Sequence, residues 1–255
     1  MTNFKALVGT AVLGAMMLAG ATAAAEGPSG STGPTVNDHN SLVGRVGVGY
    51  LGASQVVVGY DGSRAANTMT LPTIGARYWI DESLGLDLGI GLALESGSSS
   101  KTPPSESDGE TVTVDDPSFF AFMVHAGVPL ALGTGKHYCF QIIPELNFGY
   151  GSGSQDINNP YSGEKMGSVS HSGMRLDAGV RAGAELHFGF MGVPELSLQG
   201  SVGLLFRMDS YKTKAKSDEG DDLGTEKRST TRLATTVNDS PWNIFTANVA
   251  ALYYF

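Results

Sequence analysis

Between Leu84 and Glu95 every even position is Leu or Ile, and every odd position is Gly, Ala, Asp or Glu. Successive side chains of an extended chain point to opposite faces, so this stretch is a strand with one apolar face and one small or charged face. The same period of two recurs in seven further stretches. Val46, Val48, Tyr50, Val56, Val58 and Tyr60 share one face of the first strand, and Ile74, Ala76, Tyr78 and Ile80 one face of the second. The pattern continues through Phe120–Leu130, Tyr138–Tyr150, Met174–Phe188 and Leu196–Phe206. It ends, in odd parity, on Phe245, Val249, Tyr253 and Phe255.

The connectors alternate in length. Residues 81–83, 133–136 and 191–193 are tight turns, whereas 61–68, 96–117, 151–170 and 209–241 are long and polar. Eight strands with short turns at one end and long loops at the other read as an all-β, eight-stranded antiparallel transmembrane β-barrel with short periplasmic turns and long extracellular loops. A soluble barrel also segregates apolar from polar, so side-chain size must decide the orientation. The polar face is largely glycine, with 35 glycines in the 255-residue chain. A narrow eight-strand interior requires small residues around its few large groups. The apolar face carries no charge within the strands and has aromatics toward both ends, as at a bilayer's two interfaces. A mean hydropathy of −0.02 argues against a helical membrane protein. The net charge of −9 argues against a nucleic-acid partner.

The large groups on the glycine face are ionic. The cations are Arg45, Arg77, Arg175, Arg181 and Arg207, all arginine, and the anions are Asp87, Glu95, Glu145, Asp177 and Glu185. Guanidinium is suited to confined, bidentate carboxylate pairing, and a charge in a narrow lumen must be paired. Counting back from the tight turns sets Arg77 opposite Asp87, His125 opposite Glu145, and Asp177 opposite Arg207. Pro72 and Pro144 stand inside strands of a barrel that has no free edge, so a bulge or local break is expected beside Pro144.

The ends of the chain carry separate signals. Lys5, the uncharged run Ala6–Gly20 and the alanine-rich 21–25 have the order of a secretory signal peptide, 1–25. Residues 26–41, rich in Gly, Ser, Pro and Asn, read as a flexible periplasmic lead-in, which leaves 42–255 for the barrel. Cys139 is the one cysteine, and so forms no internal disulfide.

These strands, with glycine-rich stretches such as Gly47-Val48-Gly49-Tyr50-Leu51-Gly52 and the ending Asn248–Phe255, resemble the small bacterial outer-membrane β-barrels. That group includes the transmembrane domain of outer-membrane protein A and outer-membrane proteins X and W. The resemblance implies residence in the outer membrane of a Gram-negative bacterium. It also implies contact with outer-membrane lipid and an assembly signal, Val249, Tyr253 and Phe255, read by the barrel-assembly machinery. No peptidoglycan-binding domain of the protein A type is expected after Phe255.

Catalytic chemistry is poorly supported. The five histidines show no metal-ligand spacing, so neither a metal nor another cofactor is expected. His171-Ser172 has no acid placed beside it by sequence, and Asp218-Glu219-Gly220-Asp221-Asp222 lacks the spacing of a calcium loop. The acidic loop 96–117 is expected to be mobile. Segment 209–241 is expected to carry the last two strands outward as a hairpin with its tip near 218–224. Both loops are then the places for an extracellular partner. The leading functional expectation is a small non-enzymatic barrel with a structural or surface-interaction role. A narrow channel for small or apolar solutes and an outer-leaflet lipid-modifying enzyme are the rivals.

Overall fold

The computed structural model describes residues 37–60, 66–101, 111–159, 164–237, 245 and 248–255. The expected signal peptide 1–25, most of the expected lead-in 26–41 and residues 102–110 of loop 96–117 lie outside them. The described elements are a short helix α1 (Asp38–Ser41) and twelve strands: β1 (Val46–Tyr60), β2 (Ala66–Trp79), β3 (Gly85–Glu95), β4 (Ser98–Lys101), β5 (Val112–Asp115), β6 (Ser118–Gly127), β7 (Leu130–Thr134), β8 (Tyr138–Asn158), β9 (Lys165–Phe188), β10 (Val193–Ser217), β11 (Asp222–Thr235) and β12 (Val249–Tyr254). Every pairing is antiparallel, in the closed order β1-β2-β3-β6-β8-β9-β10-β12-β1. The ring closes through Gly47 opposite Tyr254 and Tyr50 opposite Ala251. It is an eight-stranded barrel.

The four remaining strands decorate the ring. β4 and β5 pair as a small hairpin within 96–117, a stretch expected to be mobile. β7 pairs with β8 beyond the end of β6. Val128 N–H donates to the Pro144 carbonyl just where β6 has ended and β7 has not begun. The register runs on unchanged from Gly127 opposite Glu145 to Leu130 opposite Ile142, so the return bond from residue 144 to the Val128 carbonyl is the one a proline cannot make, and the ladder is interrupted there. The tight turn after β2 is closed by Asp81, whose carboxylate accepts from the Ser83 hydroxyl, the Ser83 N–H and the Leu84 N–H. Those bonds, the hydroxyl's first, hold it below the usual carboxylate range.

Apolar side chains turn outward. Leu88, Ile90 and Leu92 of β3 are 53%, 59% and 62% exposed, alternating with buried residues. Outward rings meet at both ends of the band: Phe122 contacts Phe120, Phe148 and Tyr150 at the long-loop end, and Tyr138–Phe140 and Tyr253–Phe255 pair at the short-turn end. β8, β9 and β10 run 21, 24 and 25 residues, well beyond the roughly 9–11 residues that cross a bilayer. Above the band their outward residues become Ser152, Ser170, Ser172, Lys212 and Lys214.

β1 departs from its expected alternation. Val46 and Val48 face outward, but Val56, Val57 and Val58 are all buried. The cause is a bulge: the register with β2 slips between Tyr50 and Ala53, where Gly52 takes φ +111° and Pro72 supplies no N–H to the ladder. Past this point β1 turns into the barrel and reaches β8, the strand diametrically across the ring. Its counterpart surface is glycine. A Cβ on Gly149 would lie 2.6 Å from Val56 Cγ2, one on Gly151 2.7 Å from Val58 Cγ1, and one on Gly173 would collide with the Val57 carbonyl oxygen. The Arg175 guanidinium also donates to the Gln55 carbonyl. The long-loop half of the lumen is thus filled by the protein's own first strand.

The short-turn mouth is filled as well. The lead-in was expected to stay unpacked through Ser41, yet from Asn37 onward it is a helical turn tucked into the barrel. Asn37 Oδ1 caps it by accepting from Asn40 N–H at 2.7 Å. His39 and Leu42 are fully buried, with His39 edge-on to Trp79 at 4.4 Å. Leu42, Leu51, Trp79, Ala250, Leu252 and Tyr254 form one apolar cluster across this end.

Segment 209–241 forms a hairpin of β10 with β11, from Leu204 opposite Thr235 to Lys216 opposite Asp222. It is not a continuation of the last strand. β11 and β12 occupy successive stretches of the same β10 edge, and the chain leaves the ladder between Thr236, which bonds Gly203, and Asn248, which bonds Ser201. Phe245, expected in that strand, lies in this excursion and is exposed. The hairpin tip is residues 218–221, with Gly220 at φ +89°. Limited proteolysis of the folded protein with a glutamate- or lysine-specific enzyme is expected to cut first beside Lys216–Glu219. Earlier cleavage within β8 or β9 would contradict a tip that stands proud of the barrel.

Candidate functional site

The odd-numbered, inward face of the barrel gathers its polar groups into three levels. The lowest centres on Arg77. Its Nε and Nη2 donate to the two Asp87 oxygens, each at 2.7 Å, across the β2–β3 pair that sets these residues opposite one another. Its Nη1 crosses the lumen to Glu185 Oε2 and Gln199 Oε1, both at 2.7 Å. Glu185 in turn accepts from Ser197 Oγ at 2.6 Å, from Tyr254 Oη at 3.0 Å and from Gln141 Nε2 at 3.2 Å. Arg77, Asp87 and Glu185 are at most 1% exposed. Every oxygen of both carboxylates has a donor, and that condition makes a buried ion cluster tolerable.

The middle level joins β8 to β9. Arg181 Nη2 lies 2.7 Å from Glu145, and its Nη1 donates to Ser201 Oγ at 3.2 Å. His125 was expected opposite Glu145. The register instead sets it opposite Asn147, whose Oδ1 is 2.6 Å from His125 Nδ1, and leaves Glu145 at 3.9 Å, opposite Gly127. The two-residue slip follows from where the chain reverses: β7 keeps pairing with β8 as far as Thr134 opposite Cys139, with a bulge between Ala131 and Gly133, so the reversal lies at 135–138, where Gly135 N–H bonds the Tyr138 carbonyl, and not at 133–136.

At the upper level Arg207 makes a bidentate pair with Asp177 (2.8 and 3.0 Å), its register partner. Arg175 is bonded to Asp209 at 2.6 Å, again directly opposite. Two residues fall outside the lumen. Arg45 meets Glu195 at 3.5 Å on the exposed rim, and Glu95 is exposed at the end of β3. Gln141, Asn147, Ser197, Gln199 and Asp209 belong to the network but were missed. All five sit at odd, inward positions; parity could have found the four neutral ones had uncharged groups been counted, and Asp209 had the strand been carried past Phe206 into the segment read as a loop.

The positions expected to carry an assembly signal are at the closing seam: Tyr253 faces outward between Val48 and Leu196, Val249 pairs with Gly200, and Phe255 N–H bonds the Val46 carbonyl. His171 and Ser172 are consecutive strand residues, so their side chains take opposite faces. His171 Nδ1 is 3.1 Å from Thr213 Oγ1.

No family model and no curated protein matches the chain. Among solved structures it is similar to a major outer membrane protein from Thermus thermophilus. The identity is 14%, over 83% of this chain and 98% of that one, with a TM-score of 0.34.

Proposed function

We propose that this protein is a small, non-enzymatic outer-membrane β-barrel of a Gram-negative envelope, with a structural or surface-interaction role and a closed lumen. The outward apolar band between two aromatic rings supports membrane residence, since a water-facing surface seldom exposes so large a contiguous apolar area. The observation that carries the closed lumen is the Arg77 hub. One guanidinium ties β2 to β3, β9 and β10 across the full width of the barrel, with the α1 cluster below it and the inward part of β1 above it. The envelope offers it lipid along the band and the barrel-assembly machinery at Val249, Tyr253 and Phe255. An extracellular partner would meet the β4–β5 and β10–β11 hairpins.

The test is conductance of the purified full chain in planar lipid bilayers. Wild type is expected to be electrically silent. Removing the hub side chain by Arg77→Gly, with Asp87→Asn and Glu185→Gln to leave no bare carboxylate, is expected to open steps of current once Leu42→Gly loosens the α1 cluster below it and Gly173→Val displaces the inward part of β1 above it. Sustained conductance by the wild type would replace this reading with the channel.

A further inference from the structure

On the outward face, the strand registers set side chains in rows that continue past the apolar band. The last aromatic row at the long-loop end has Met174 beside Tyr150 and Tyr150 beside Phe122. Two residues higher, about 7 Å along the strands, Lys227, Lys212, Ser172, Ser152 and Phe120 stand side by side across β11, β10, β9, β8 and β6. The next row runs Thr225, Lys214, Ser170, Ser154 and Ser118. Leu94, Phe120 and Tyr150 floor an open groove of about 1100 Å³, and these serines with Lys212 and Lys214 form its polar side. Glu95 is the carboxylate of the groove wall, and β6, β8 and β9 stand between it and the lysines.

Neighbouring lysines are balanced where these are not. Lys216, higher on the same face, has Asp222 as its register partner, and Lys165 is held by Asp156 at 2.8 Å. Lys212 instead stands between Lys227 and Ser172, and Lys214 between Thr225 and Ser170. Like charges directly opposite across a strand pair are destabilising. Desolvation first, and then Lys214 and Lys227 beside it, hold the Lys212 ammonium below the ordinary lysine value. An anion between the three ammoniums removes that repulsion. Ammoniums beside a double row of hydroxyl donors match a group with more than one negative charge and several acceptor oxygens, and a phosphate monoester is such a group. A free phosphate would leave the floor of Leu94, Phe120 and Tyr150 uncovered, whereas a lipid lays its first methylenes there, continuous with the band below. We infer that this groove holds the phosphate headgroup of an anionic outer-leaflet lipid, an inference that rests on the outer-membrane reading above.

Dioctanoyl phosphatidic acid titrated calorimetrically into the full chain in non-ionic micelles tests this, with dioctanoyl phosphatidylcholine and inorganic phosphate as comparators. Saturable binding of the acid is expected, weaker by about tenfold or more for each comparator. Lys212→Gln, Lys214→Gln and Lys227→Gln together are expected to weaken it by about thirtyfold or more, since each cation at a membrane surface adds its own share of the attraction. Lys165→Gln, which removes a lysine already bonded to Asp156, is expected to leave it unchanged. Absence of saturable binding overturns the inference. So does equal binding of phosphatidylcholine, which would mark unselective lipid contact, or of inorganic phosphate, which would mark a bare anion site. Undiminished affinity in the triple variant would place the lipid elsewhere and overturn it too. Flotation of the same protein with phosphatidylcholine vesicles separates this inference from the membrane reading. A chain that floats but does not select the acid loses this inference alone, and one that does not float loses both.

Discussion

Arg77→Met is expected to lower the unfolding free energy by about 3–5 kcal/mol, as measured by urea titration of the full chain in lipid vesicles. The loss does not come from the methionine, which fits an apolar lumen as well as arginine does. It comes from the two carboxylates left screened from water, Asp87 without both of the N–H donors that Arg77 gave it and Glu185 without one. The triple variant Arg77→Met, Asp87→Asn, Glu185→Gln should therefore regain most of the loss, because amides in those positions carry no bare charge and still bond Ser197 and Tyr254. A single variant that loses less than about 1 kcal/mol would show that water reaches the hub and screens it, as at exposed pairs. That result would also remove the main support for a closed lumen.

The hub also shows what periodicity can and cannot disclose. Arg77–Asp87 and Asp177–Arg207 are readable because a short turn ties each pair of strands, and the length of the turn sets which residues face. Arg77–Glu185 is not readable in the same way: β2 and β9 share no turn, and their meeting depends on the circumference of the closed ring. His125 and Glu145 share a hairpin and still miss one another, because β7 continues pairing as far as Thr134 and carries the reversal past the turn expected at 133–136. Parity settles which face a residue takes, and hence that Gln141, Asn147 and Gln199 point inward. It says nothing of which inward groups will touch.

α1 and the upper half of β1 were hidden for different reasons. A four-residue helix in a polar segment has no period to detect, and it forms because a buried histidine and leucine find room beneath Trp79. In β1 the even-numbered apolar pattern pauses at Gly52 and Ser54 and resumes in the same parity at Val56, so an even alternation would put Val56 and Val58 against lipid. One bulge at Gly52 reverses their sense. The glycines were legible only in part. Their number on one face shows that something comes close, but the space they leave at Gly149, Gly151 and Gly173 is taken by a strand of the same chain and not only by charged side chains.

That seat makes a second large effect testable. A side chain at Gly173 has nowhere to go while β1 stays in the lumen, because its Cβ would occupy the position of the Val57 carbonyl oxygen, a backbone atom that cannot rotate aside. Gly173→Val should therefore expel the upper part of β1, at a cost of about 1–3 kcal/mol for the forced repacking. The ring below, held by the β1–β12 ladder and the Arg77 level, should remain closed. A thiol placed by Val57→Cys reports the difference, in a Cys139→Ala background that leaves no other cysteine. Val57 is 2% exposed, so the thiol should react slowly with a polar maleimide when Gly173 is present. The rate should rise by about tenfold or more when valine replaces it, since labelling follows the population of the open form. Equal rates in the two backgrounds would mean that the valine is accommodated by movement of β9, and that β1 is held in the barrel by Arg175 and its apolar contacts more firmly than by the glycine surface.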